Sequence, residues 1–132
     1  MQAQKKQRLL VVAPNWLGDA LMLTPVFKAM KLKYEDSFIG VMVPKRIRQV
    51  FEENPYIDEI FDFDERNEQR SFLRKVIFTR RLRRHHFDTA VLVHRSLTRT
   101  IICMCAGIKR RIGYERLKTR FFLTESVWVP AV

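Results

Sequence analysis

The stretch that decides the fold is LLVVAPNWLGDALMLTP, residues 9–25. It begins with a short, continuous apolar run, Leu9–Ala13, which is typical of a buried strand. A turn containing Pro14 and Gly18 follows, and apolar residues then recur at helical spacing from Ala20 onward. This order predicts a strand, a loop and a helix in immediate succession.

The same alternation continues along the chain. Further strand-like apolar runs cover Phe38–Val43, Ile57–Phe63 and Thr89–Val93. Because these runs are continuous rather than alternating, we expect strands that are covered on both faces, as in a parallel sheet. The segments with helical spacing are Ala20–Tyr34, Pro44–Glu53, Glu68–Phe78 and Ser96–Ala106. The sequence therefore predicts an α/β fold with a doubly wound, Rossmann-like parallel sheet.

Several local features are predicted within these elements. The pair Thr24-Pro25 favours a restart or kink in the first helix, and Gly107 fits the end of the last one. The tail Phe121–Val132, with the apolar run Val127–Val129, is a further strand or the start of a connection. In the third helical segment one arc is predicted to face the core and to end near Phe78, so that Arg80–His86 leave the domain or lie beside an anion; this arc contains Phe72, Leu73, Val76 and Ile77.

Composition limits the class of protein. The chain has 132 residues, 47% of them hydrophobic and 30% charged, which excludes a disordered polyelectrolyte and fits one domain. No apolar stretch reaches the roughly 18 residues of a membrane span, and no secretory signal is evident, so we expect a soluble cytoplasmic protein. Cys103 and Cys105 lack the partners of a zinc site, so we expect no metal and two ordinary buried thiols.

The loop after the first strand is the first candidate site, because ligands of open parallel sheets bind at the carboxyl ends of strands. It has neither a dinucleotide fingerprint nor a P-loop. Gly18 permits a positive φ or the close approach of a ligand, and Asp19 places a carboxylate at the start of a helix. The alternative is that Asp19 only caps that helix.

Basic residues are unevenly distributed. The chain carries 25 Lys and Arg against 14 Asp and Glu, for a net charge of +11. Between Arg66 and Arg84 stand seven arginines and one lysine against Glu68, and Lys109–Arg120 forms a second basic segment. Such patches indicate either a solvated helix end or an anion-binding surface, and a nucleic-acid-binding module is the alternative class. His94 and Arg95 end the fourth strand, where they are either structural or ligand contacts.

Two separated blocks resemble the ADP-heptose:lipopolysaccharide heptosyltransferases, the heptosyltransferase II type most of all. The first block is Leu9–Pro25, and the second is FDTAVLVHRSL, residues 87–97, followed by AGIKRRIGY, residues 106–114. The resemblance implies the GT-B architecture of two Rossmann-like lobes. Residues 1–132 would be the amino-terminal, acceptor-binding lobe, and the carboxy-terminal nucleotide-sugar lobe would be absent.

The resemblance also implies roles for individual residues. Asp19 matches the aspartate of the family's Gly-Asp pair, which implies the general base of an inverting transfer. The implied acceptor is a lipopolysaccharide inner core of the Kdo–lipid A type at the anionic inner-membrane surface, which Arg80–Arg84 would attract; no specific nucleic acid is expected. This lobe would bind no cofactor, since ADP-heptose belongs on the missing lobe, and the fragment alone would be inactive. His94-Arg95 departs from the polar pairs of other members. The expected acceptor contacts are Asn15, Trp16, Gly18, Arg66, Arg70, Arg74, His94 and Arg95.

Overall fold

The computed structural model describes residues 7–63, 71–93, 97–114 and 123–127, which form one parallel sheet with helices on both faces. The strands are β1 (Arg8–Val12), β2 (Phe38–Val43), β3 (Glu59–Asp62), β4 (Thr89–Leu92), β5 (Arg110–Tyr114) and β6 (Glu125–Val127). The helices are α1 (Leu17–Lys33), α2 (Gln49–Glu52), α3 (Phe72–Arg83) and α4 (Leu97–Cys105), with a short 3-10 turn at Lys45–Ile47.

The strand order is β3-β2-β1-β4-β5-β6, and every neighbouring pair is parallel. The predicted doubly wound α/β fold is therefore confirmed. β1 lies between β2 and β4, at the point where the order of connection reverses. The arginine-rich strand β5 was not predicted, because its sequence RRIGY carries no continuous apolar run. β6 covers Glu125–Val127 and so reaches the first residue of the predicted apolar run of the tail, and the rest of that run lies outside the described residues.

The central strands are buried on both faces. Leu9 and Val11 pack on one side with the α1 residue Phe27, whereas Leu10 and Val12 pack on the other with residues of α3 and α4. Helices cover both faces, which explains why every residue of β1 after Arg8 is apolar. Because all neighbouring strands are parallel, their carboxyl ends meet at one edge of the sheet.

Helix α1 runs through Pro25 without interruption, so the predicted restart at Thr24-Pro25 is wrong. Proline cannot donate the hydrogen bond that would reach the Leu21 carbonyl. The Thr24 hydroxyl donates to that carbonyl instead, at 2.8 Å. The Thr24 side chain thus satisfies the carbonyl that Pro25 leaves without a donor.

Although α1 is apolar on several sides, neither it nor any other helix in the described residues has the length and apolarity needed to cross a bilayer.

The predicted core face of α3 is also wrong for three of its four residues, and the fourth, Val76, is half-buried. Phe72, Leu73 and Ile77 are 83%, 67% and 57% exposed, whereas Phe78 and Leu82 are buried. Phe78 packs edge-on against Phe61 at a centroid distance of 6.5 Å. The helix is therefore rotated away from the predicted arc, and it continues to Arg83 instead of leaving the domain.

Helix α4 ends as predicted at Gly107, which adopts a positive φ of 79°. The amide of Ile108 reaches back to the Cys103 carbonyl at 3.2 Å. This bond closes the last turn, and glycine adopts the required left-handed conformation without a steric penalty.

Gly40, in β2, provides a test of the packing. A Cβ at this position would lie 2.8 Å from the ring of Phe87 and 2.9 Å from that of Phe61, and both rings are buried. We expect Gly40→Ala to lower the free energy of unfolding by about 1–3 kcal/mol, because the rings have no space to move. Denaturant unfolding measures this loss. Gly18→Ala is the matched control, since an added Cβ there meets no protein atom within 4 Å; equal losses in the two variants would contradict the packing.

The two cysteines differ, so the prediction of two buried thiols is only half right. Cys103 is fully buried and Cys105 is exposed. Burial raises the pKa of the Cys103 thiol to about 12, with Arg111 acting weakly in the opposite direction. We expect a thiol reagent at mildly alkaline pH to modify Cys105 rapidly and Cys103 only after unfolding, because the thiolate is the reactive form. Rapid modification of both thiols in the native protein would contradict this assignment.

Candidate functional site

The candidate site lies at the carboxyl edge of the sheet, where chain segments leave neighbouring strands. The loop after β1 contains Asn15 and Trp16, and the 3-10 turn after β2 contains Lys45 and Arg46. Backbone bonds extend the sheet to this edge: the Ala13 amide donates to the Met42 carbonyl at 2.9 Å. The edge therefore has a rigid base, as a binding site on strand ends requires.

Asp19 is the third residue of α1 and is exposed. The N-cap of the helix is Trp16, and no side chain caps it, so the alternative that Asp19 is the N-cap is wrong. No hydrogen bond or ion pair engages its carboxylate within the described residues. Asp19 thus presents an accessible carboxylate in the first helical turn, where the helix dipole favours negative charge.

Carboxylates elsewhere in the sheet have structural partners. Asp58 accepts from the Ile39 amide at 2.7 Å, and Asp88 accepts from the Arg8 amide at 3.0 Å, both at the opposite, amino edge. At the carboxyl edge Asp62 forms an ion pair with Arg48 at 2.6 Å. Asp19 differs from these three in having its oxygens available to a ligand.

Asn15 is held from two directions by arginines. The guanidinium of Arg46 donates to the Asn15 backbone carbonyl at 3.0 Å, and that of Arg99 donates to the Asn15 side-chain oxygen at 3.1 Å. Arg99, on α4, is only 4% exposed and lies over the ring of Phe63 at 5.4 Å. The loop that precedes Asp19 is therefore fastened to both halves of the sheet.

Trp16 and Gly18 form the exposed surface at the point where the loop meets α1. Gly18 does not adopt a positive φ, so of its two predicted uses only the approach of a ligand remains. The space around its α-carbon is open, and Trp16 beside it is 73% exposed. A ligand could reach the Gly18 backbone from this side.

Arg74 is the only one of the predicted basic acceptor residues that the described ranges contain. It is exposed in the first turn of α3, which begins at the carboxyl edge, and its amide donates to the Ser71 cap at 3.2 Å. The structure thus brings Asn15, Trp16, Gly18, Asp19 and Arg74 to one edge. Arg66, Arg70, His94 and Arg95 lie outside the described residues.

Sequence reasoning missed Arg46 and Arg99. Arg46 follows the predicted strand Phe38–Val43 by three residues, so the rule that singled out Asp19 could have found it. Arg99 had no comparable signal, because an arginine within a helix is more often exposed than buried.

Among the described residues no group of three or more His, Cys, Asp or Glu could hold a metal ion.

The two arginines that fasten Asn15 differ in burial, which gives a matched pair of variants. We expect Arg99→Met to lower the free energy of unfolding by about 1–2 kcal/mol, because it removes a buried hydrogen-bonding group. Arg46→Met should cost less than about 0.5 kcal/mol, since Arg46 is exposed. Chemical denaturation of both variants checks the difference, and an equal or reversed order would contradict the anchoring role of Arg99.

Comparison with curated sequences gives relatives of one kind. The chain is 25% identical to lipopolysaccharide heptosyltransferase 2 of Escherichia coli over 92% of its own length and 35% of the relative's. It is 24% identical to the Salmonella typhimurium protein of the same name over 82% of its length and 31% of the relative's. No protein-family model matches the sequence. The chain thus spans about a third of the relatives that it matches.

Solved structures show the same fold. The chain superposes on the E. coli ADP-heptose lipopolysaccharide heptosyltransferase II with a TM-score of 0.73 at 24% identity, covering 89% of this chain and 33% of the other. For the family 9 glycosyl transferase of Veillonella parvula the TM-score is 0.82 at 20% identity, with coverages of 97% and 37%. These neighbours confirm the Rossmann-like fold, and the curated proteins confirm the predicted resemblance. The chain is similar to the lipopolysaccharide heptosyltransferases over about one third of their length.

Proposed function

We propose that this chain is the acceptor-binding part of an inverting glycosyltransferase that moves heptose from ADP-heptose to the lipopolysaccharide inner core. The observation that carries the proposal is the exposed Asp19 carboxylate, which has no partner within the described residues and stands at the carboxyl edge of a heptosyltransferase-like sheet. In this proposal Asp19 is the general base.

The chemistry requires a base on the acceptor side. A hydroxyl of the acceptor sugar loses its proton while its oxygen bonds to the anomeric carbon of heptose, and the bond to ADP breaks on the opposite face. A carboxylate within about 3 Å of that hydroxyl can take the proton. Asp19 meets the requirement of access because nothing in the described structure covers or pairs it.

Recognition of the acceptor would fall to the residues around Asp19. Inner-core Kdo sugars carry carboxylates and lipid A carries phosphates, and guanidinium groups bind both through paired hydrogen bonds. Arg74 lies at the required edge, and Arg46 and Arg99 hold the Asn15 loop there. The remaining proposed contacts are Trp16, Gly18, Arg66, Arg70, His94 and Arg95.

The donor would be held elsewhere. We assign no cofactor to this lobe and place ADP-heptose on a second, carboxy-terminal lobe that is not among these 132 residues. Closure of that lobe over Asp19 would exclude water from the reacting groups. The acceptor is membrane-embedded, so the protein would work at the cytoplasmic surface of the inner membrane.

The test of the base is a fusion in which this chain replaces the matching third of E. coli lipopolysaccharide heptosyltransferase 2. We expect the fusion to transfer heptose, and Asp19→Asn to lower kcat by about 10²- to 10⁴-fold, because the amide cannot accept the proton. Asp36→Asn is the control, since Asp36 is exposed beyond the far end of α1. Full activity of the Asp19→Asn fusion would refute the assignment.

The chain by itself should give no product from ADP-heptose and a Kdo–lipid A acceptor, because the proposed donor site lies on the other lobe. Mass spectrometry of the acceptor checks this expectation. Catalytic turnover by the 132-residue chain alone would show that the donor site has been assigned to the wrong part of the protein.

A further inference from the structure

The outer face of α3 combines exposed apolar side chains with arginines. Leu73, Ile77, Arg80 and Arg84 follow one another at helical spacings of four, three and four residues, so they form one stripe along the helix and the turn that ends it. Phe78 and Leu82, which are buried in the core, lie on the opposite side of the helix. The stripe therefore points away from the domain.

The apolar half of the stripe is well exposed. Leu73 and Ile77 are 67% and 57% exposed, and Phe72 at the start of the helix is 83% exposed. Isolated exposed apolar residues are common on protein surfaces, but three within six residues on one helix are not isolated. These side chains gain free energy if an apolar phase covers them.

The other half of the stripe is strongly basic. No acidic residue occurs between Phe72 and Arg84. Arg81 pairs with Glu59 at 3.6 Å, but within the described residues no carboxylate or aromatic ring contacts the guanidinium groups of Arg80, Arg83 or Arg84. The charge of these three arginines is thus available to an external anion.

We propose that the outer face of α3 binds the surface of an anionic lipid bilayer. Phe72, Leu73 and Ile77 enter the boundary between headgroups and acyl chains, while Arg80 and Arg84 contact lipid phosphates. Apolar side chains beside a basic face are the composition that holds a helix in the bilayer interface. This inference deepens the proposed function, on whose membrane-bound acceptor it rests, by naming the face that contacts lipid, and that face lies on a different helix from the one that carries Asp19.

The orientation of α3 gives this surface a consequence for the site. The apolar end of α3 begins at the carboxyl edge, where Asp19 also lies, and the basic end lies toward the amino edge. A helix inserted by its apolar end would bring the carboxyl edge close to the headgroups. If the proposed function is correct, a lipid-anchored acceptor could then reach Asp19 without leaving the bilayer.

A nucleic acid explains only half of the surface. Arginines bind its phosphates equally well and the exposed Phe72 ring could stack on a base, but Leu73 and Ile77 present no planar group. These two aliphatic side chains would gain nothing from a phosphate backbone. The composition of the stripe therefore favours lipid.

The test is co-sedimentation of the 132-residue chain with vesicles of phosphatidylcholine, either alone or mixed with phosphatidylglycerol. We expect binding only to the mixed vesicles and weaker binding in high salt. Leu73→Ser with Ile77→Ser should weaken binding at least about tenfold, by loss of apolar insertion. Arg80→Gln with Arg84→Gln should weaken it roughly thirtyfold, because each arginine near an anionic surface contributes about a factor of five.

Matched controls lie elsewhere on the molecule. Leu32→Ser removes a leucine that is 70% exposed on α1, and Lys28→Gln with Lys109→Gln removes two exposed lysines. Neither control should change vesicle binding by more than about twofold, and circular dichroism should show that every variant is folded. Because all of the altered residues are exposed, none should affect the core.

Three results would overturn the proposal. The first is that the unaltered chain does not bind the mixed vesicles, and the second is that replacing Leu73 and Ile77 by serine leaves vesicle binding unchanged. The third is tighter binding to a random DNA duplex than to the mixed vesicles, measured by fluorescence anisotropy. Heptose transfer by the fusion to a lipid-free, soluble acceptor does not require Leu73, Ile77, Arg80 or Arg84, so failure here is distinguishable from failure of the proposed function.

Discussion

The structure depends on the burial of a parallel sheet on both of its faces. β1 lies in the middle, and its successive side chains enter two separate apolar clusters, one under α1 and α2 and the other under α3 and α4. Burial of this kind leaves no free face for a ligand. The polar residues that follow the strands are consequently concentrated at the carboxyl edge, where the backbone turns from strand to helix.

The loop at the end of β1 uses this constraint. Its position is fixed by the sheet below and by Arg46 and Arg99, which bond to the backbone and to the side chain of the same asparagine. The first turn of α1 then carries Asp19 out of the packed region. A carboxylate that is accessible, while the loop before it is fastened by hydrogen bonds, is a suitable arrangement for a base that must meet a substrate in one geometry.

The alternation of strands and helices could be predicted from sequence, because continuous apolar runs and helical spacing reflect burial directly. The rotation of α3 could not. Phe72, Leu73, Val76 and Ile77 form as good an apolar arc as the one around Phe78 and Leu82, and tertiary contacts such as those of Phe78 with Phe61 and Phe63 decide between them. The error is informative, since the side chains wrongly assigned to the core are those that now form an exposed face.

The candidate site was predictable to the same degree. Asp19 was found because the rule about strand ends depends on topology alone, whereas the role of Arg99 depends on a tertiary partner, Asn15, which lies 84 residues away in the sequence.

The most direct test of the central claim, that the carboxyl edge of β1 receives the acceptor, is a nuclear magnetic resonance titration of the labelled chain with a lipid-free Kdo oligosaccharide. We expect the amide signals of Trp16, Gly18 and Asp19 to shift progressively with ligand. Shifts confined to the amino edge around Asp58 and Asp88, or none at saturating sugar, would contradict it.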